Sequence, residues 1–148
     1  MFLLPSWAWA QSEKQTELRI HALHAEPGRP SVYEVAFTAT EKLAPEAEFS
    51  FEFPAEFDLT QLQIAGSPDI NGGFTLKRDK QKVLVQRSGL GQSIAAGTFV
   101  RLRLGAIGNP KIGESSNAIV VQMHTSAQSP WTDFAKQRVV FVRTEKSE

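Results

Sequence analysis

From Thr16 onward the chain alternates apolar and polar residues with a period of two, and helical periodicity is nearly absent. Leu18, Ile20 and Ala22 alternate with Arg19 and His21, and a Glu26-Pro-Gly-Arg-Pro30 turn follows. Tyr33, Val35, Phe37 and Ala39 then form one apolar row, interleaved with Glu34, Ala36 and Thr38. Phe49, Phe51 and Phe53 repeat the arrangement against Ser50 and Glu52, and Pro54, which has no N–H to donate, closes that strand. Three aromatic rings on one face predict a main pillar of the core.

The middle of the chain is read the same way. Ala55 to Ile64 predicts a turn of helix before a strand over Leu62 to Ala65. Asp69-Ile-Asn71-Gly72-Gly73 is turn chemistry, and Phe74 to Leu76 with Lys82 to Arg87 flank an Arg78-Asp79-Lys80 turn as a hairpin. In IAAGTFVRLRLGAIGNP, residues 94–110, Gly97 permits a turn, Val100, Leu102 and Leu104 point inward, and Asn109-Pro110 stops the strand. Ile119, Val121 and Met123 make the next inward row, and Val139 to Val142 the last. The pattern predicts an all-β chain, an antiparallel Ig-like β-sandwich of about seven or eight strands. The Cys-Trp-Cys hallmark of antibody domains is missing, so Ig-like describes architecture only.

Length agrees with one domain. A chain of 148 residues buries a core without staples. It has no cysteine, which removes thiol nucleophiles, thiolate zinc sites and redox motifs. The N-terminal MFLLPSWAWAQS, with Pro5 and an Ala8-Trp9-Ala10 cleavage pattern, predicts a signal peptide over 1–10, which leaves Gln11 to begin a domain over 11–143 and a polar tail over 144–148. The other reading is an ordered segment whose Trp7 and Trp9 pack on the domain. The first reading predicts a secreted, periplasmic or cell-surface chain. No later window approaches the roughly 20 apolar residues of a membrane-spanning helix, so the mature chain is expected to carry none.

Net formal charge is zero, from 16 basic and 16 acidic residues, which disfavours nucleic acid as a partner. The charges separate along the chain. Residues 41–60 hold Glu41, Glu46, Glu48, Glu52, Glu56 and Asp58 against Lys42, while 77–103 hold Lys77, Arg78, Lys80, Lys82, Arg87, Arg101 and Arg103 against Asp79. Two solvated faces explain this. The sharper reading is a dipolar module that meets an anionic wall polymer or, weakly, a second copy of itself through opposite patches.

Candidate chemistry is sparse. His21 and His24 point to opposite faces of a strand and His124 is remote, so no metal site is expected. There is no G-x-S-x-G elbow, and Ser88 before Gly89-Leu-Gly91 reads as a turn. Glu46, Glu48 and Glu52 read as outward positions of one strand, without a cleft to perturb them. Asp69-x-Asn71-Gly72 begins like a calcium loop but lacks the later ligands. No catalytic residue and no cofactor are therefore expected. The candidate binding residues are Trp131, which a loop over Ser126 to Phe134 would offer to a sugar ring, and Arg101 and Arg103 on the outer face of their strand.

Around that strand a family likeness emerges. Ile94-Ala-Ala-Gly97-Thr98, an alternating strand, Ile107-Gly-Asn109-Pro110, Gly113 and a strand ending at Thr125 resemble exported β-sandwich modules of bacterial surface and envelope proteins. Among these is a cyanobacterial secreted family of unknown function. The likeness covers about Ser93 to Trp131, with looser support from Phe53-Pro54. It departs at Ala96, where proline is commoner, and at Ser115 to Ala118, where an aromatic is usual. The resemblance implies no catalytic residues. It implies a non-catalytic structural or interaction module whose partner is an envelope protein or wall polysaccharide. A carbohydrate-binding accessory domain using Trp131 is the alternative, and a hydrolase comes third.

Overall fold

The computed structural model describes residues 18–111, 118–126 and 128–131, and the backbone of 132–137. Nine strands run through them: β1 Arg19–Ala22, β2 Pro30–Thr38, β3 Glu48–Glu52, β4 Ile64–Gly66, β5 Phe74–Asp79, β6 Lys82–Arg87, β7 Phe99–Gly108, β8 Ile119–His124 and β9 Thr132–Gln137. They form two antiparallel sheets, ordered β1-β2-β7-β4 and β5-β6-β3-β8-β9. The chain is all-β, with nine strands in place of the seven or eight expected, and the described residues include no helix.

The period-two rows become the core between the sheets. Tyr33, Val35 and Phe37 of β2 and Val100, Leu102 and Leu104 of β7 are buried in register on one side. Phe49 and Phe51 of β3, Val83 and Val85 of β6, and Val121 and Met123 of β8 close the other. Phe37 of one sheet meets Phe49 of the other at 5.8 Å between ring centroids.

Residues 55–64 depart from the expected helical turn. Two tight turns form instead, closed by Phe57 N–H to Pro54 O at 3.1 Å and Leu62 N–H to Leu59 O at 3.1 Å. They let Phe57, Leu59 and Leu62 enter the core from a connection. Phe57 stacks edge-on against Tyr33 at 5.9 Å and lies 5.5 Å from Phe53. Gln81 fastens the segment from the β5–β6 turn by donating to Pro54 O at 2.7 Å and Phe57 O at 3.1 Å. Burial of three large side chains outweighs local helical preference here.

The expected loop before the last described strand is also corrected. β9 begins at Thr132, so the expected loop over Ser126 to Phe134 ends at Trp131. The expected strand over Val139 to Val142 and the signal peptide over 1–10 lie outside the described residues.

Asn109-Pro110 ends β7 as expected, but Asn109 also serves as a clasp. It is buried, accepts a hydrogen bond from the Tyr33 hydroxyl at 2.6 Å, and donates through Nδ2 to His24 O and Glu26 O, each at 2.8 Å. One side chain thus ties the end of β7 to β2 and to the β1–β2 connection. Gly97 makes the turn into β7 with φ 88°, a left-handed value that side-chain-bearing residues avoid.

At that same end the connections β2–β3, β4–β5 and β6–β7 meet around Arg87. The sequence places Arg87 in a basic run on a hairpin; the structure buries it to 2% exposure. Its guanidinium donates to Gln92 O at 2.5 Å, Ala44 O at 2.9 Å, Leu43 O at 3.4 Å and Asn71 O at 3.5 Å, one or two carbonyls from each connection. Beside it, Asn71 Oδ1 accepts from Gln92 N–H at 3.0 Å, and the backbone of Gly91 runs against Asn71 so closely that a Cβ at Gly91 would collide with the Asn71 carbonyl. A glycine is required there by backbone approach.

Candidate functional site

The structure separates the three candidate binding residues onto the two outer faces of the sandwich. Arg101 and Arg103 lie on the four-stranded sheet, and both are engaged. The Arg101 guanidinium grips Asp69 with Nε to Oδ2 at 3.0 Å and NH2 to Oδ1 at 3.1 Å, while its backbone N–H also donates to Oδ2 at 2.9 Å. These bonds hold the Asp69 carboxyl below its usual range and raise the Arg101 pKa. Arg103 Nε lies 3.0 Å from Glu34 Oε2, and His21 Nε2 lies 3.8 Å from Glu34 Oε1. Asp69, read from sequence as a turn former, is thus also the ion-pair partner of a strand 32 residues away.

Folding dissolves the charge segregation of the sequence. Acid-bearing β3 pairs directly with basic β6, where Glu52 faces Lys82 in register. Arg101 and Arg103 find acids on other elements, and Arg78 acts on Asp58. Arg87 is withdrawn from the surface altogether. Acidic and basic segments are thus brought side by side at these positions.

Arg103 borders a groove of about 590 Å³ with Val32, Ile64, Gly105 and Ala106. It is mostly apolar, and Ile64 on the short edge strand β4 is 70% exposed.

Trp131 occupies the other face. It is 43% exposed, and its ring lies 5.0 Å from that of His124 at an interplanar angle of 39°. The indole lines a hollow of about 420 Å³ on the outer side of the five-stranded sheet. The floor is set by register: Ser50 of β3 faces Leu84 of β6 on one flank and Gln122 of β8 on the other. Lys77, opposite Leu84 on β5, extends that row, and Arg78, Asp79 and Lys82 stand at its end.

Ser50 is the residue whose part the alternation pattern hides. It points outward as expected of its position, yet is 4% exposed. Lys77, Arg78 and Lys82 are exposed; Lys82 faces Glu52 of β3 and Asp79 of β5 in register, and Arg78 acts on Asp58. This site joins a ring surface, a sheltered hydroxyl, an amide and charges of both signs in one concavity.

The remaining candidates do not assemble. His21 and His24 share no metal geometry, and no group of three or more metal-ligating side chains occurs among the described residues. Asn71 works as a turn and loop ligand. Glu46 sits in the turn before β3, not on the strand with Glu48 and Glu52. Among the described residues no helix is long and apolar enough to cross a membrane.

No family model matches the chain. No curated protein matches it in sequence. Solved structures share its fold. The N-terminal domain of the Streptococcus gordonii adhesin Sgo0707 superposes with a TM-score of 0.56 at 13% identity, over 88% of this chain and 33% of the adhesin chain. An uncharacterised Nocardia farcinica protein with an immunoglobulin-like fold gives 0.50 at 12% identity, over 84% of this chain and 96% of that one. A Vibrio harveyi GH20 exo-β-N-acetylglucosaminidase gives 0.48 at 11% identity, over 86% of this chain. The chain spans a third of the adhesin chain and 18% of the glucosaminidase chain. The likeness to the adhesin domain and to the Nocardia farcinica protein establishes an Ig-like sandwich and nothing about activity.

Proposed function

We propose that the chain is a non-catalytic binding module of the bacterial envelope or cell surface, and that it engages its partner through the outer face of the five-stranded sheet. The observation that carries this reading is the half-exposed Trp131 set at a concavity on the outer face of the five-stranded sheet. An indole offers a large contact area with only two side-chain torsions to immobilise, which is why aromatic residues dominate binding surfaces. Packing against His124 fixes the ring before a partner arrives, so little order has to be gained on binding. The export signal read in the N-terminal residues supports the location, and the sandwich fold supplies the rigid platform. The same tryptophan favours a second reading, a carbohydrate-binding accessory domain.

Co-sedimentation with isolated bacterial envelopes tests the proposal. Trp131→Ala is expected to abolish retention, while Ile64→Ser on the opposite face retains it. Equal retention of wild type and Trp131→Ala removes the face from consideration. Turnover of an envelope polymer that vanishes on replacing a single acidic residue overturns the non-catalytic assignment.

A further inference from the structure

We propose that Asn71-Gly72 is a self-modifying site, at which the Asn71 carboxamide loses ammonia in the folded chain and becomes an aspartate that serves as the counter-charge of Arg87. The co-reactant is water alone. Asparagine before glycine is especially prone to this chemistry, because no side chain shields the glycine nitrogen. The chain carries its own controls. Asn109 precedes Pro110, whose nitrogen has no hydrogen to lose, and Asn117 precedes Ala118.

The fold arranges the reacting groups. Asn71 is exposed, so water reaches it. Its Oδ1 accepts from Gln92 N–H at 3.0 Å, a donor placed to hold the negative charge that this oxygen acquires in the tetrahedral intermediate. Nucleophile and leaving group are both untied, since no described residue takes a hydrogen bond from Gly72 N–H or from Asn71 Nδ2. The carbonyls around them are fastened. Gly72 O accepts from Ser88 Oγ, Gly73 O accepts from Ser88 N–H at 3.1 Å, and Asn71 O lies 3.5 Å from Arg87 NH2.

Gly72 N gives its proton to water and attacks Asn71 Cγ, and Nδ2 takes a proton from solvent and leaves as ammonia, which closes a cyclic imide. One water then opens the ring. Addition at Cγ breaks the newly formed C–N bond and yields aspartate; addition at the main-chain carbonyl carbon breaks the original peptide bond and yields an isoaspartyl link. The Gly91 backbone lies against the Asn71 main-chain carbonyl and shields that carbon. Attack at Cγ is therefore favoured, and the product is aspartate. Its carboxylate arrives beside a buried guanidinium that forms no ion pair among the described residues and on which Glu46 acts only from a distance. A buried cation without an ion-pair partner is where an added negative charge helps most.

The test incubates the purified full chain at mildly alkaline pH, native and in guanidinium chloride, and follows each asparagine by peptide mapping with mass spectrometry and isoaspartate detection. Asn71 is expected to convert at least as fast in the native chain as in the denatured one, ahead of Asn117 and with Asn109 intact. Aspartate should be the major native product, and its share should fall in the denatured chain. Gln92→Pro, which removes the N–H on Oδ1, should slow native conversion about tenfold. Circular dichroism checks that this variant folds; if it does not, the native and denatured rates of the wild-type chain decide. Asn71→Asp should raise Tm by about 2–4 °C in the wild-type background and leave it unchanged in Arg87→Met. Native conversion slower than denatured conversion overturns the site. Conversion in folded Gln92→Pro at the wild-type rate overturns the role of that donor, and a native product no richer in aspartate than the denatured one overturns the shielding by Gly91. An Asn71→Asp chain that melts no higher than wild type, or equally higher without Arg87, overturns the counter-charge.

Discussion

Replacing Arg87 by Met keeps most of the apolar stem and removes the donors that bind carbonyls of three connections. Two of the four bonds are short, to Gln92 O at 2.5 Å and Ala44 O at 2.9 Å. Charge-assisted bonds of this kind contribute about 1.5–3 kcal/mol each. The other two, at 3.4 and 3.5 Å, add little. Against this stands the cost of keeping the cation out of water, which pushes the Arg87 pKa down, and a buried Nε without a partner. The carbonyls stay behind in Arg87→Met and lose their donors, so relief from desolvation only partly offsets the loss. The net expectation is a destabilisation of about 3 kcal/mol. For a chain of 148 residues that is a fall in Tm of about 6–12 °C. Arg87→Lys, able to reach some of the carbonyls, should fall between. Calorimetry and urea unfolding measure the effect. Amide exchange at Leu43 and Ile94, whose N–H groups donate reciprocally to each other's carbonyls at 2.9 Å, should accelerate more than exchange in β2. A Met variant as stable as wild type, with unchanged exchange at these amides, would refute the assignment of Arg87 as the tie between the connections.

Tyr33 is the only tyrosine, so ultraviolet tyrosinate absorbance reports it alone. Burial raises its pKa well above the free value of about 10. Its neutral form stabilises the fold below that value, and the contribution is lost as pH rises toward the folded pKa. Tyrosinate is therefore expected to appear only together with alkaline unfolding; reversible ionisation near pH 10 with native circular dichroism would contradict the buried hydroxyl. For Asp69→Asn the sign is opposite. The Arg101 pair lowers the Asp69 pKa, so its stabilisation is full above about pH 4 and lost as pH falls through the folded value. Unfolding free energies from urea titration should differ by at most about 1 kcal/mol at pH 7, since the pair is partly exposed, and converge at pH 2–3. A gap that does not change with pH would show that the ion pair is not its source.

The alternation of Tyr33, Val35 and Phe37, of Phe49, Phe51 and Phe53, and of Val100, Leu102 and Leu104 made the sandwich legible before any coordinates. A strand has only two faces, and burying one leaves a period that a short window can detect. The same logic located the Asn109-Pro110 stop and the turn at Gly97. It failed over residues 55–64, where Phe57, Leu59 and Leu62 are buried by irregular turns that carry no fixed period. It also missed the onset of β9 after Trp131.

The residues of the hollow were legible one at a time but not as a group. Trp131 could be named as an exposed loop aromatic, because bulk and neighbours show in the sequence. Ser50, Leu84, Gln122 and Lys77 come from four strands, and only the pairing order β5-β6-β3-β8 places them in one row. Arg87 and Asp69 changed meaning for a related reason. A charged side chain is described by its own chemistry in a sequence, but whether it is solvated, paired or bonded to carbonyls depends on residues 5 to 44 positions away. The sequence by itself determined the sandwich class and the core rows, because hydrophobic burial acts on each strand locally through its period. Only the tertiary structure decided that acidic and basic segments would become neighbours and that one outer face would hold an indole over a hollow built from several strands, because those outcomes depend on which strands pair.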